Sequence, residues 1–443
     1  MKSWGGPCVI FLPAGKSLFV DMLTTFLDKN TSDVLFDELF DGLHVHPEEK
    51  RGKHCRKYYV MQFNLALDAC SGDVEKIRQL MNNEINVVVT KFVKKYDLGD
   101  VPMYPDNGLA SLKSATSELS LKDPSAKLYI LVDEYDRFTN ELMAMGNLDS
   151  SYAAVTGGGG GGSSSPETGP LRAFLTGIKN LPSAGVRVRA FVTGLAPISL
   201  AEGASANNYK SVTFQKSIAG MFGFTRVDIK RGLSALGHLS DEERTAALEF
   251  ATEFFEGYLY DSKTTKDLEA AAQLYNPQLS LNFLQMLCTE EGVDLLRAWQ
   301  AGAKTTQELV RIVDDPNVQI SESALKILSR SPLTLTDVAT LVGRGRIECT
   351  LSDVREVFNL TELLQRPTGG NQGQNDKQRA RMLAFMFAHG IVTFASRAEI
   401  SSPDDFDKVA LVAPNEMVRE QLLESLGERL EEEKKKDPYY RGR

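Results

Sequence analysis

Leu128-Tyr129-Ile130-Leu131-Val132 runs without a break into Asp133-Glu134-Tyr135-Asp136. An apolar run that does not alternate is the pattern of a strand buried on both faces. Open α/β sheets bind ligands at the carboxyl ends of their strands. The two acids therefore fall where a reacting group would sit. One carboxylate can hold the hydration shell of Mg²⁺, and the next can orient or deprotonate a water that attacks a phosphoryl group. A core strand that merely ends in acids fits the stretch as well, so the functional reading requires a phosphate-binding partner elsewhere.

Gly15-Lys16-Ser17 is that partner. The apolar run Cys8–Leu12 precedes it, and Leu18, Phe19, Met22, Leu23 and Phe26 follow at helical spacing. A loop between strand and helix can aim backbone N–H groups at phosphate oxygens, and the helix N-terminus adds partial positive charge. Lys16 can reach the β- and γ-phosphates, and the Ser17 hydroxyl can ligate Mg²⁺. The full pattern GxxxxGK[ST] wants glycine where Ile10 stands, and Pro13 lacks an N–H to donate. Thr193 ends the run Phe191-Val192-Thr193 and would flank the γ-phosphate if its strand neighbours the acid-tipped one. A threonine that simply closes a strand before Gly194 is the alternative.

Strand and helix patterns alternate from the start to about Leu236. Strands are expected at Cys8–Leu12, Tyr58–Leu67, Leu128–Val132 and Val186–Gly194. Helices are expected from Ser17 onward and over Ser32–Leu43, Asp73–Tyr96, Leu109–Leu121 and Leu171–Leu181. This order predicts a parallel sheet flanked by helices. Gly157–Ser165 reads GGGGGGSSS, a flexible insert that cannot pack a core. From Ser240 the pattern becomes helical: Asp241–Phe255 capped by Ser240, a start at Asn276-Pro277, then Ser280–Cys288, Val293–Ala301 and Ser321–Ser329. Residues Leu333–Ala413 read as shorter helices with a strand pair, Ile391–Phe394 and Val409–Val412. Thr368–Gln378 reads as a polar loop between them, and Glu416–Lys436 as a charged amphipathic helix.

A formal charge of −9 over 443 residues argues against a generally basic nucleic-acid surface. The five scattered cysteines form no CxxC, which fits a reducing, intracellular setting better than a disulfide framework. No apolar run is long enough to span a bilayer. His44, His46, His54 and Cys55 form a loose cluster with no zinc-ligand spacing and read as surface residues. Arg187 and Arg189 read as a solvated strand face, and Arg226, Lys230 and Arg231 as a wet helix face. The abrupt first strand suggests a shortened N-terminus.

The chain resembles the AAA-ATPase-like family of P-loop NTPases. The blocks that carry the resemblance run in order: GKSLFVDML (Gly15–Leu23), LFDELFDGL (Leu35–Leu43), YYVMQFNLA (Tyr58–Ala66), LYILVDEYD (Leu128–Asp136) and FVTGLAPIS (Phe191–Ser199). MFGFT (Met221–Thr225), GYLY (Gly257–Tyr260), YNPQLSLNFL (Tyr275–Leu284) and VAPNEMVREQLLE (Val412–Glu424) follow. Members often precede a PD-(D/E)XK nuclease-like domain, and related modules occur in crinkler-type effectors. The chain stops at Arg443, where a nuclease would begin, so nuclease activity is not implied. The resemblance implies Gly15, Lys16, Ser17 and Thr193 as nucleotide-binding residues, Ser17 and Asp133 as Mg²⁺ ligands, Glu134 as catalytic base and Lys16 as its partner in catalysis.

The expected fold class is α/β: a P-loop NTPase sheet, then an all-helical domain and a small winged-helix-like module. The expected division is 1–236 for the ATPase core with its insert at about 150–168, then 237–330, 331–415, and a charged tail over 416–443. The expected function is Mg²⁺-dependent ATP hydrolysis driving a conformational change. The alternative is a switch or interaction scaffold that does not hydrolyse. ATP, an unidentified protein and no membrane are the expected partners. Nucleic acid is allowed by the family's nuclease neighbours but opposed by the net charge.

Overall fold

The computed structural model describes residues 8–11, 16–67, 73–137, 169–195, 209–215, 218, 220–221, 223–260, 273–302, 324, 327–328, 332–356, 358, 363, 372–395 and 407–436. The chain divides into two compact units: residues 1–11, 16–212 and 358–361 form one, and residues 12–15, 213–357 and 362–443 the other.

In the first unit, β1 (Cys8–Phe11), β2 (Tyr59–Asn64), β3 (Lys127–Asp133), β4 (Arg187–Gly194) and β5 (Lys210–Ser211) form one sheet in the order β2-β3-β4-β1-β5. Every pairing is parallel. The first four strands lie where the apolar runs predict them. The fifth pairs through only Lys210 and Ser211, too short for any periodicity to register. Between the strands come α1 (Lys16–Leu27), α2 (Asp33–Phe40), α3 (Glu48–Arg51), α4 (Val74–Lys95), α5 (Gly108–Lys122) and α6 (Pro170–Asn180).

The sheet is covered on both sides, which explains the unalternating run in β3. Leu128, Ile130 and Val132 face a core shared with Ile77 and Met81 of α4, Leu112 of α5 and Phe174 of α6. On the other side α1 lies against the sheet. Phe19 meets Phe191 edge-on with ring centroids 5.8 Å apart. Thr24 donates to Gln62 Oε1 at 2.8 Å, and Gln62 Nε2 donates to Asp21 Oδ1 at 2.7 Å. These contacts fix α1, and with it Lys16, on β2 and β4.

The second unit contains α7 (Arg226–Ala235), α8 (Asp241–Phe255), α9 (Pro277–Met286) and α10 (Glu290–Gln300). Their core centres on Phe250, whose ring lies 4.6 Å from Phe254, 5.1 Å from Phe283 and 5.2 Å from Trp299. Further along are α11 (Pro332–Arg344), β6 (Ile347–Thr350), α12 (Leu351–Val354), α13 (Gln372–Ala388), β7 (Thr393–Phe394), β8 (Lys408–Val412) and α14 (Glu416–Lys436). The expected strand pair exists as β7 with β8, and β6 joins it in an antiparallel sheet ordered β6-β8-β7. The polar loop expected over Thr368–Gln378 is helical from Gln372 onward. Its Gln, Lys and Arg residues are good helix formers, and Gln378 is buried and donates its side-chain amide to the Leu363 carbonyl. The Gly/Ser insert lies outside the described residues, and of Ser321–Ser329 only Ala324, Ile327 and Leu328 are described, all buried.

Candidate functional site

The strand order brings the sequence-predicted residues together. Because β4 lies between β3 and β1, Thr193 sits between the acid-tipped strand and the strand that leads to Lys16. The register pairs Val132 with Val192 and Ile10 with Thr193. Thr193 and Asp133 are both buried, and the threonine hydroxyl donates to Asp133 Oδ1. Asp133 Oδ1 also accepts the Glu134 N–H at 3.0 Å, while the Asp133 carbonyl accepts the Leu65 N–H at 2.9 Å. Lys16, the first residue of α1, is buried and its Nζ stands 3.9 Å from Glu134 Oε1. Ser17 follows in the first turn and is exposed. Gly15, together with Pro13 and Ala14, lies outside the described residues.

The residue after β3 is conformationally unusual. Glu134 has φ +54, in the left-handed region that a β-carbon disfavours. The surrounding backbone imposes it: Tyr135 N–H donates to the Thr193 carbonyl at 3.2 Å, and Arg137 N–H to the Glu134 carbonyl at 3.2 Å. The chain therefore turns sharply at the sheet rim and presents the Glu134 carboxylate towards Lys16 rather than continuing the strand. A buried lysine, a buried aspartate and a half-buried glutamate at one sheet rim can bind a polyanion, support a cation and accept a proton.

Among the described residues of the first unit, the other sequence candidates are not brought to this rim. Arg189 holds its guanidinium 6.0 Å from the Tyr58 ring, four residues back along β4 from Thr193, or about 13 Å at strand rise. Arg226, Lys230 and Arg231 belong to the second unit, on α7. The His/Cys cluster disperses into local contacts. His46 pairs with Asp37 at 3.1 Å, and His54 Nδ1 lies 2.7 Å from the Tyr58 hydroxyl. Burial and the nearby Arg189 charge hold the His54 imidazole below its ordinary pKa. Cys55 is buried beside Phe36 and Phe40 rather than on the surface. Among the described residues no three His, Cys, Asp or Glu side chains group to hold a metal ion by themselves, and no helix is long and apolar enough to cross a membrane.

Asp136 is a site neighbour that the sequence reading gave no role. It is buried, and both its oxygens accept the Leu195 N–H. The available signal was a third acid where an exposed turn would be expected.

Two structures of the Aeropyrum pernix ORC2 protein are among the solved structures that match the chain. The ADPNP–ADP complexes are 12% identical with a TM-score of 0.39, covering 97% of this chain and 89% of that one. The ADP form is 11% identical with a TM-score of 0.35, covering 96% and 88%. No curated protein matches the sequence. Residues 13–202 match the family model described as predicted AAA-ATPase. This span, less than half of the chain, holds Lys16, the acid-tipped β3 and the threonine-tipped β4, and it is this segment that is similar to the AAA-ATPase-like family.

Proposed function

We propose that the chain binds ATP with Mg²⁺ at the carboxyl-end rim of the parallel sheet and hydrolyses it. The observation that carries this reading is the approach of Lys16 Nζ to Glu134 Oε1 at 3.9 Å, beside the Thr193–Asp133 hydrogen bond on adjoining strand tips. Lys16, held at the N-terminus of α1, offers positive charge to phosphate oxygens together with the helix dipole. Asp133 and Ser17 suit Mg²⁺, which keeps several waters and takes one or two protein ligands beside substrate phosphates. When bound, the ion neutralises charge on the phosphoryl oxygens. Glu134, half-exposed at the rim, accepts the proton of the attacking water. Thr193 holds Asp133 and stands where a change at the terminal phosphate is felt first, which makes β4 the origin of a conformational response. Gly15 is assigned to nucleotide binding with Lys16 and Ser17.

Along the chain we read 1–236 as the ATPase core, 237–330 as helical, 331–415 as a winged-helix-like module and 416–443 as a tail. The order α11-β6-α12-α13-β7-β8 and the sheet order β6-β8-β7 support the module.

Steady-state phosphate release from Mg²⁺–ATP tests the proposal. Lys16→Ala and Glu134→Gln are each expected to lower turnover by ~10²-fold or more, the usual contribution of a general base or a charge clamp. Wild-type turnover that neither change lowers removes the assignment. Calorimetric ATP binding without turnover replaces it with a nucleotide-dependent switch, the reading that Pro13 in the phosphate loop favours.

A further inference from the structure

The acid run continues past the proposed base to Asp136, which no step above uses. This carboxylate is completely buried. Its two oxygens accept the Leu195 N–H at 3.1 and 2.9 Å, and Leu195 lies two residues beyond Thr193. One residue earlier, Tyr135 donates its N–H to the Thr193 carbonyl. The two strand tips are thus joined twice, once on each side of Gly194. A β-carbon at Gly194 would lie 2.2 Å from the Tyr135 ring and 2.7 Å from Asp136 Oδ1. The tips approach more closely than any side chain there would allow. Glu134 lies within this closure, in a backbone conformation that persists only where the surroundings over-determine it.

We infer that Asp136 is a positioning residue that clamps the tip of β4 onto the tip of β3, and so holds Glu134 towards Lys16 and Thr193 on Asp133. The inference rests on the hydrolysis reading above and adds to it a residue that touches neither nucleotide nor metal. A buried carboxylate is costly unless strongly hydrogen-bonded. An apolar side chain could fill the same space but could not accept the Leu195 N–H. The clamp orients groups and supplies no ligand, so its loss should lower the rate of the chemical step and leave nucleotide affinity nearly unchanged.

The experiment compares the full chain with Asp136→Ala, Asp136→Asn and Gly194→Ala. Steady-state phosphate release gives kcat, and calorimetry gives ATP affinity. Gly194→Ala forces the tips apart without altering any carboxylate. Asp136→Asn keeps one oxygen to accept the Leu195 N–H. Asp136→Ala and Gly194→Ala are expected to lower kcat by roughly 10- to 100-fold, the scale of a misplaced catalytic group. Asp136→Asn should recover part of that loss, and affinity should stay within about threefold throughout. Folded variants with wild-type kcat overturn the inference, as does loss of affinity in step with kcat. Should the variants not fold, hydrogen exchange of the wild type decides. The Tyr135 and Leu195 amides should exchange as slowly as amides within β3 and β4, and exchange at exposed-loop rates overturns the clamp. Wild-type protein without turnover removes the hydrolysis reading and the clamp's role with it. Wild-type turnover with unaffected variants removes the clamp alone.

Discussion

Glu134 carries two demands that pull against each other. As proposed base it needs a carboxylate, while its φ of +54 suits glycine. A side chain in the left-handed region costs ~1–2 kcal/mol, and glycine gives back roughly 0.5–1 kcal/mol of that in lost chain entropy. Glu134→Gly should therefore be more stable than Glu134→Gln by about 0.5–1 kcal/mol, although both lack the charge and both should turn over more slowly, by ~10²-fold or more. Urea unfolding reads the difference, and equal stabilities would mean that this backbone is not strained. Arg56 and Asp97 share the positive φ, but neither is at the strand-tip rim. A second residue-level expectation concerns the thiols. Burial pushes Cys349 up to about 12 and raises Cys55, whereas Cys288 is exposed. Since the thiolate is the reactive form, iodoacetamide at pH 8 should label Cys288 well before Cys55 and Cys349 in the folded protein. Peptide mass spectrometry would reveal the reverse order if the burial is wrong. The residue types at Lys16, Asp133, Glu134 and Thr193 were legible because their chemistry and local context coincide. The dihedral at Glu134 and the Asp136–Leu195 contact were not. They depend on which strand tips become neighbours, and nothing within DEYD or VTGL encodes that.

At the scale of elements, helix starts were the most legible feature, because a cap is a local transaction between one side chain and the backbone just after it. Ser240 accepts the Glu243 N–H at 3.2 Å, and the Glu243 carboxylate accepts the Ser240 N–H at 2.7 Å. Asn276 caps α9 through the Gln278 and Leu279 N–H groups with proline in the first turn, and Asp73 caps α4 through the Glu75 and Lys76 N–H groups. Ser240→Ala should lower stability by ~1 kcal/mol, as N-cap deletions do, with ATP turnover unchanged. A shift in the denaturation midpoint checks the first part and phosphate release the second. Short strands were the least legible elements. β5 has two residues and β6 four, and β6 ends where the capping box of α12 begins at Thr350. Its hydrogen bonds come from β8, some sixty residues later, so the pairing is specified by partners and not by the local run. The start of α13 was missed for the opposite reason. Its polar composition reads as loop, yet Arg379 binds Asp337 Oδ1 through Nε and Nη2, at 3.1 and 3.0 Å, and so draws the helix onto α11.

Within the second unit the turn after α8 ties the helices to the C-terminal sheet, and large effects on stability should come from there. Immediately after α8, Gly257 has φ +111, and a β-carbon on it would sit 1.7 Å from the Pro414 carbonyl oxygen. On one side of the turn Asn415 donates its side-chain amide to the Glu256 carbonyl at 3.0 Å. On the other, Leu259 donates its N–H to Thr393 Oγ1 at 2.7 Å, and the Thr393 hydroxyl returns a bond to the Leu259 carbonyl at 2.8 Å. Met417 then joins the Phe250 core. The helices α8–α10 and the β6-β8-β7 sheet are thus joined through Glu256–Tyr260, and GYLY is the sequence trace of that junction. Gly257→Ala combines a forbidden backbone angle with a backbone overlap that no rotamer can relieve, so it should cost about 3 kcal/mol or more. The Leu259 and Phe394 amides should then lose hydrogen-exchange protection together, because they report the same interface. Gly237 has open space around its β-carbon position, and Gly237→Ala serves as the control, expected to change stability by less than about 1 kcal/mol. If Gly257→Ala unfolds at the wild-type midpoint, the close approach to Pro414 does not exist, and the helices and the sheet are not joined at this turn.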